Sequence, residues 1–155
     1  MPRRRLIVLA FLPLLVACEG GRESAVGAGV ADADPLAAGR AAYLAHCSAC
    51  HQREGQGLRG AFPPLAGADW LRAHPPELAI EVVLRGMTGE LTVNGETYRA
   101  VMPPAAHLDD ARIAAILGYV YASWGNEARE ITPAMVAAVR ARSAAPVDAG
   151  ALPKR

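Results

Sequence analysis

The pentapeptide Cys47-Ser48-Ala49-Cys50-His51 constrains this chain more than any other feature. Two thiols about one helical turn apart can reach the two vinyl groups on one edge of a haem. The adjacent imidazole then lies under the iron from the same face. Cys-x-x-Cys-His is the attachment signature of c-type haem. The sequence therefore predicts one covalent haem c, bound by Cys47 and Cys50, with His51 as an iron ligand.

Two other interpretations of the motif suit this sequence less well. A structural zinc site takes four ligands, and the one further cysteine of the chain is Cys18, far upstream. A redox-active disulfide needs no histidine after its second cysteine and usually lies in a βαβ context, which the sequence does not show. We therefore prefer the haem interpretation to both.

The iron would need a sixth ligand from the opposite side of the haem. The candidates are Met87, Met102, His74 and His107, with His46 too close to the attachment site. Met102 is favoured because the Pro103-Pro104 pair that follows it fixes φ and holds the chain extended over a ring face. Met87 follows a helix end and is otherwise a core residue. His107 is expected at the surface or as a donor to another ligand.

The first part of the chain carries export signals. Three arginines precede an apolar run over residues 6–17, which is typical of a signal peptide and too short to span a bilayer. The run ends in Leu-Val-Ala-Cys, which resembles the lipobox of bacterial lipoproteins; the alternative is an ordinary signal peptide with a stray cysteine. We expect a signal peptide over residues 1–17, then a lipidated Cys18 and a flexible Gly-rich linker over residues 18–33.

These signals predict a location on the periplasmic side of a bacterial membrane, lipid-anchored or, alternatively, soluble in the periplasm. The formal net charge is +1, and it falls to −2 when the three arginines of residues 1–17 are removed. Neither value suggests a nucleic-acid partner. No small-molecule substrate is expected.

Hydrophobic spacing predicts an all-α domain over residues 34–126, followed by an extra helix and a tail over residues 127–155. The predicted helices run from Asp34-Pro35 to Cys47, from Pro76 to Arg85, from Asp109 to Gly125 and from Thr132 to about Arg142. A long loop rich in Gly and Pro separates the first two. Asn94-Gly95 predicts a β-hairpin with a type I′ turn. The tail after Ser143 is expected to fray.

Most of residues 35–126 resembles the class I c-type cytochromes. In that family an N-terminal helix with a glycine and an aromatic residue crosses the C-terminal helix, and Gly39 and Tyr43 match the first of these helices. Ile116 and Tyr119 match the second. The resemblance implies that the two helices cross around one haem, with a small hairpin before the axial methionine. The hairpin is similar to that of cytochrome subunits of bacterial periplasmic dehydrogenases, oxidases and nitrite reductases.

The resemblance also implies roles for single residues. In the family a proline carbonyl accepts the N–H of the ligating histidine, and Pro63 is the nearest match, with Pro64 as the alternative. Met102 matches the axial Met-Pro motif. Trp70 lies where family members contact the haem propionates, although simple core packing is its alternative role. Further candidate propionate donors are Arg72, Arg85, Tyr98 and Arg99.

The expected function is electron transfer with His/Met ligation, by a free carrier or a subunit of an oxidoreductase complex, and not catalysis. Methionine ligation raises the reduction potential. The haem edge near Cys47 and Cys50 is the expected site of exchange with redox partner proteins. Arg53 and Arg59 lie near it, either guiding docking or merely solvated. The alternative function is a haem peroxidase or haem-based sensor with an open sixth site.

Overall fold

Helices and two small sheets form the part of the chain that this computed structural model describes, residues 35–142 and 145–152. The helices are α1 (Pro35–His46), α2 (Ser48–His51), α3 (Asp69–Ala73), α4 (Pro76–Arg85), α5 (Asp110–Ala122) and α6 (Pro133–Arg140). The strands are β1 (Met87–Thr88), β2 (Leu91–Val93), β3 (Glu96–Tyr98) and β4 (Val147–Asp148), and a 3₁₀ turn covers Ala149–Ala151. The predicted signal peptide, Cys18, the linker and the helix cap Asp34 lie outside the described residues.

The crossing of α1 and α5 is the centre of the fold. Gly39 on α1 faces α5 so closely that a Cβ there would clash with the carbonyl oxygen of Ala115 and lie 2.8 Å from the Cβ of Tyr119. Tyr43, one turn further along, packs its ring 5.6 Å from that of Tyr119. Only glycine allows this close approach, so glycine occupies the position despite its low helix propensity. The predicted all-α class and the helix crossing are confirmed.

The helix α5 begins as predicted but ends earlier. The Asp109 side chain accepts a hydrogen bond from the Arg112 amide at 2.7 Å, which caps the first turn. The prediction that the helix reaches Gly125 is wrong, because Trp124 has a φ of 55° and turns the chain after Ala122. Its indole lies over Gly55, where a Cβ would be 2.6 Å from the ring. The end of α5 is thus joined to the loop that follows the Cys-x-x-Cys-His motif.

The predicted hairpin is confirmed. Val93 pairs with Glu96 across the turn, and the two residues between them, Asn94 and Gly95, have φ values of 50° and 77°. Positive φ at both positions is the requirement of a type I′ turn. Asn94 and Asp69 exchange hydrogen bonds between side chain and backbone, at 2.8 and 3.0 Å. The hairpin is thereby attached to α3, a short helix within the stretch that was predicted to be irregular.

The expectation that the tail frays after Ser143 is wrong for residues 147–151. There β4 pairs in parallel with β1, with Val147 opposite Met87. Val147 and Ala149 are buried against Val82 and Met87, and this apolar burial fixes the segment. The helix before it, α6, ends at Arg140 and is two residues shorter than predicted. None of the helices in the described part of the chain is long and apolar enough to cross a membrane.

Candidate functional site

A large apolar cavity opens beside the Cys-x-x-Cys-His motif. Its wall includes Cys47, Cys50 and His51, and it also includes Met102. The remaining wall is formed mainly by apolar side chains, among them Val83, Leu71, Ile116, Leu117 and Val120. Apart from tyrosines, no residue with a polar or charged side chain is buried within residues 35–142 and 145–152. A group bound here would therefore lie in surroundings of low polarity.

A single turn of helix presents the motif to the cavity. Cys47 caps α2, and its carbonyl accepts hydrogen bonds from the amides of Cys50 at 3.2 Å and His51 at 3.0 Å. This turn brings both thiols and the imidazole to the same wall. Both cysteines are free thiols and are half-buried.

The same geometry counts against the two other interpretations of the motif. Burial raises the pKa of the Cys47 thiol to about 11, with a smaller contribution from Cys50. A thiol with so high a pKa is a poor nucleophile for disulfide exchange at neutral pH, because the thiolate is the reactive form. Among the described residues, no group of three or more His, Cys, Asp or Glu side chains could hold a metal ion. The motif therefore does not form part of a zinc site within this region.

His51 is oriented by the loop that follows it. Its Nδ1–H donates to the carbonyl oxygen of Pro63 at 3.0 Å, which leaves the lone pair of Nε2 available for a metal. Burial lowers the pKa of His51, against an opposing contribution from the Pro63 carbonyl. The loop approaches closely because Gly57, with a φ of 65°, has no Cβ to meet the Pro63 carbonyl carbon, which would be 2.7 Å away. The bond selects Pro63 rather than Pro64 as the partner of His51.

Two methionines lie side by side at the cavity. Met87 and Met102 form an antiparallel bridge, with reciprocal amide-to-carbonyl bonds of 3.0 and 2.9 Å, and both line the cavity. Met87 is buried and Met102 is half-buried. Backbone geometry alone thus brings both candidate sulfur ligands to the site.

The histidine candidates are placed differently from one another. His46 and His107 line the cavity at its exposed rim, with their ring centroids 6.2 Å apart. His74 is not part of the cavity wall; its ring stacks on Trp70, with the centroids 4.5 Å apart.

The candidate propionate donors separate into two groups. Trp70 and Tyr98 line the cavity. The three arginines do not. Arg72 is exposed, Arg99 pairs with Glu90 at the surface, and Arg85 bonds to Glu81 and to the carbonyl of Val139. All three arginines therefore lie outside the cavity wall, and two of them have partners elsewhere, so their contact with a propionate stays a prediction.

The two arginines proposed for docking remain at the surface. Arg53 is exposed, and Arg59 pairs with Glu96 of the hairpin at 3.0 Å while 90% of its side chain is accessible.

Asn126 has a role that the sequence did not indicate. Its side-chain amide donates to the carbonyls of Leu65 at 2.9 Å and Val120 at 2.8 Å, joining α5 to the loop that carries Pro63. No local pattern around Asn126, which follows Ser-Trp-Gly at residues 123–125, indicates these two contacts.

The donor set fits a covalently attached haem. Two free thiols and an oriented neutral imidazole share one wall of an apolar cavity whose lining also contains thioether sulfur. Comparison with known proteins agrees. The family model for cytochrome c matches residues 36–124. Cytochrome c-552 of Thermus thermophilus is 44% identical over 89 residues, which are 56% of this chain and 68% of the relative.

Two further similar proteins are named as cytochrome c subunits of dehydrogenases. That of alcohol dehydrogenase (quinone) from Gluconobacter oxydans is 34% identical over 93 residues, covering 59% of this chain and 19% of the subunit. That of gluconate 2-dehydrogenase from Pantoea cypripedii is 32% identical over 111 residues, covering 69% of this chain and 25% of the subunit. The chain thus spans a quarter or less of the length of these two subunits.

Proposed function

The chain belongs to the cytochrome c family, whose members bind haem c covalently, and we propose that it transfers electrons through one haem whose iron is ligated by His51 and Met102. The observation that carries this proposal is the shared cavity. Cys47, Cys50, His51 and Met102 all line it, and its other walls are mainly apolar. Haem supplies a one-electron Fe(III)/Fe(II) couple when bound.

His51 would contribute one strong bond to the iron. The hydrogen bond from its Nδ1 to the Pro63 carbonyl fixes the tautomer and the ring orientation and increases the basicity of Nε2. Because this hydrogen bond already holds the imidazole, the ring would need little movement to bind the iron. We assign Pro63 this supporting role.

Two differences favour Met102 over Met87 as the other ligand. Met87 is only 6% exposed and already packs in an apolar cluster with Val82, Val147 and Ala149. Met102 is half-buried and leads into Pro103-Pro104, which restrict the backbone at the cavity wall. A thioether ligand stabilises Fe(II) and raises the reduction potential.

Paired ligand variants test this assignment. Spectroelectrochemical titration of the holoprotein should show a single one-electron transition. Met102→His should lower its potential by on the order of 0.1 V or more, within the ~0.8 V that axial ligands cover. The control Met87→Leu conserves side-chain volume and should leave the potential close to that of the wild type. A fall in Met87→Leu alone would transfer the ligand role to Met87.

The alternative function is a haem peroxidase or sensor, which requires an open sixth position. A five-coordinate wild-type protein that turns over hydrogen peroxide would favour that alternative. A six-coordinate protein without such turnover supports a carrier that is not itself an enzyme.

Trp70 and Tyr98 are the cavity residues that we assign to the propionates, since both can donate a hydrogen bond from an apolar wall.

We propose that electrons pass at the cavity mouth near Cys47 and Cys50. The exposed residues of the cavity wall include Val101 and Pro103, and neither of them is charged. The similarity to cytochrome c subunits of dehydrogenases supports a redox enzyme as the partner, and the export signals of residues 1–18 support a periplasmic or membrane location for it. Neither the donor nor the acceptor is specified by this similarity.

We also propose that a lipid on Cys18 tethers the protein to a bacterial membrane on the periplasmic side. The support is the Leu-Val-Ala-Cys sequence at the end of the apolar run, upstream of the described residues. Stable anchoring needs more than one acyl chain. Cells labelled with radioactive palmitate should incorporate it into the wild type and not into Cys18→Ser. Equal label in both would contradict the proposal.

A further inference from the structure

The segment that carries Met102 is held by a single arginine near its far end. Arg140 on α6 donates from Nη1 to the carbonyl of Ala106 at 2.8 Å and from Nη2 to that of Leu108 at 2.7 Å. Its Nε bonds to the carboxylate of Asp110 at 2.8 Å. The guanidinium thus uses its fixed fork of donors to tie the chain between Met102 and α5 to the first turn of α5.

The near end is held by β4. The Val147 amide donates to the carbonyl of Gly86 at 3.1 Å, and Val147 pairs with Met87. On its other side Met87 exchanges both backbone hydrogen bonds with Met102. The backbone of Met87 therefore lies between Val147 and Met102. Any outward movement of β1 would also move the partner strand of Met102.

Two glycines allow β1 to lie close to both the Met102 segment and β4. A Cβ at Gly86 would clash with the Met102 carbonyl oxygen and lie 3.1 Å from the Pro104 nitrogen. A Cβ at Gly89 would lie 2.6 Å from a carboxylate oxygen of Asp148 on β4. Both glycines have positive φ, 75° and 88°. The chain on both sides of β1 thus has a backbone that only glycine adopts readily.

Between these two ends, one backbone hydrogen bond joins the segment to α4, from the Ala105 amide to the Val83 carbonyl at 2.8 Å, and several of the side chains are exposed. Val101 is 64% exposed, and Pro103 and Pro104 are exposed as well. Segments with few buried apolar contacts open locally at low free energy. Without the contacts from α6 and β4, the Met102 segment would be expected to open more often than the rest of the fold.

We propose that the C-terminal segment, residues 133–142 and 145–152, positions Met102 and opposes its displacement from the iron. The proposal rests on Met102 being the sixth ligand. Arg140 and Val147 act as positioning residues from two separate elements. The part of the chain after the match to the cytochrome c family model, which ends at residue 124, thereby controls access of external ligands to the site.

Carbon monoxide binding to the reduced holoprotein measures this access. Carbon monoxide can bind only after the Met102 sulfur has left, so its binding rate reports opening of the segment. Arg140→Gln removes the guanidinium that makes these hydrogen bonds, and truncation of the chain after Arg142 removes β4. Arg142→Gln makes the same charge change at an exposed position of the same segment. We expect at least a tenfold faster rate in the first two proteins and a wild-type rate in Arg142→Gln.

A second variant, Asp110→Asn, removes only the charged partner of Arg140 and replaces Arg140→Gln in the test if that protein does not fold. It should bind carbon monoxide faster than the wild type. The methionine–iron absorption band should remain in the resting variants. Rates equal to the wild type in all variants, with that band intact, would overturn the positioning role even if thermal stability fell. Absence of the band from the wild type would instead remove the Met102 ligation on which the proposal rests.

Discussion

The imidazole of His51 donates from Nδ1 to the carbonyl oxygen of Pro63 across a distance of 3.0 Å. A backbone carbonyl is a partner that no side-chain substitution removes, so the bond depends on the position of the loop. That loop is fixed by its own bonds, such as Leu65 amide to Gly55 carbonyl at 2.7 Å, and by Asn126 from the end of α5. Orientation of the proximal ligand is thus coupled to the packing of the C-terminal helix.

Asn126→Ala tests this coupling. It removes two hydrogen bonds and leaves the carbonyls of Leu65 and Val120 without the amide, so the free energy of unfolding should fall by about 2 kcal/mol. If the loop is less firmly held, the Pro63 carbonyl bonds the His51 Nδ1–H less strongly. The basicity of His51 then falls, and the reduction potential should rise. Chemical denaturation and redox titration measure the two effects. The neighbouring control Glu127→Ala breaks only a surface ion pair with Arg129 and should cost less than about 0.5 kcal/mol. Unchanged potential in Asn126→Ala would refute the coupling.

Gly39→Ala should destabilise the fold although alanine is the better helix former. The new methyl group would meet the Ala115 carbonyl and lie 2.8 Å from the Tyr119 Cβ. We expect a loss of about 3 kcal/mol, which exceeds the propensity gain of about 1 kcal/mol. Gly118→Ala on α5 is the matched control, because a Cβ there meets nothing within 4 Å. It should stabilise by about 0.5–1 kcal/mol. Equal effects of the two substitutions in denaturation curves would contradict the close crossing.

Alkaline pH should destabilise the protein through its buried tyrosines. Burial raises the pKa of Tyr121 to about 12, with Glu77 adding to the rise and Arg129 opposing it. In the unfolded chain tyrosine titrates near pH ~10. Between these values the unfolded state has lost a proton that the native state keeps, so stability falls as pH rises. Below about pH 10 this contribution is fully present.

Tyr121→Phe isolates the effect of that residue. The Tyr121 hydroxyl is buried without a hydrogen-bond partner among the described residues. Its removal should leave stability at pH 7 unchanged or raise it by up to about 1 kcal/mol, and make the decline above pH ~10 shallower. Tyr43→Phe differs, because the Tyr43 hydroxyl donates to the Gln52 carbonyl at 2.6 Å. That variant should lose about 1 kcal/mol at pH 7. Identical pH profiles for Tyr121→Phe and the wild type would show that Tyr121 does not titrate as described.

Local patterns predicted the parts of the fold that local physics determines. Asn94-Gly95 specifies its turn because both residues tolerate positive φ, and Asp109 specifies a helix start because its carboxylate caps free amides. Gly39 and Tyr43 indicated the helix crossing through a resemblance, since glycine on a helix face has little other purpose. The Cys-x-x-Cys-His motif predicted the cavity wall because one helical turn fixes the spacing of its donors.

Contacts between distant parts of the chain were not predictable in the same way. The pairing of β1 with β4 joins two-residue strands that are about 60 positions apart, and neither strand has a periodic pattern. The three bonds of Arg140 go to a carboxylate and two carbonyls, which have no sequence signature. Trp124 continued the apolar period of α5, yet its packing on Gly55 turns the chain out of the helix. In each case tertiary packing, not local preference, decided the outcome.

The optical spectrum of the oxidised holoprotein tests the His51–Met102 assignment most directly. A methionine sulfur bound to ferric haem gives a weak far-red absorption band. The wild type should show this band together with a six-coordinate spectrum in both oxidation states, and Met102→Ala should lose the band while haem stays attached to Cys47 and Cys50. A wild type without the band, or a Met102→Ala protein that retains it, would contradict ligation by Met102.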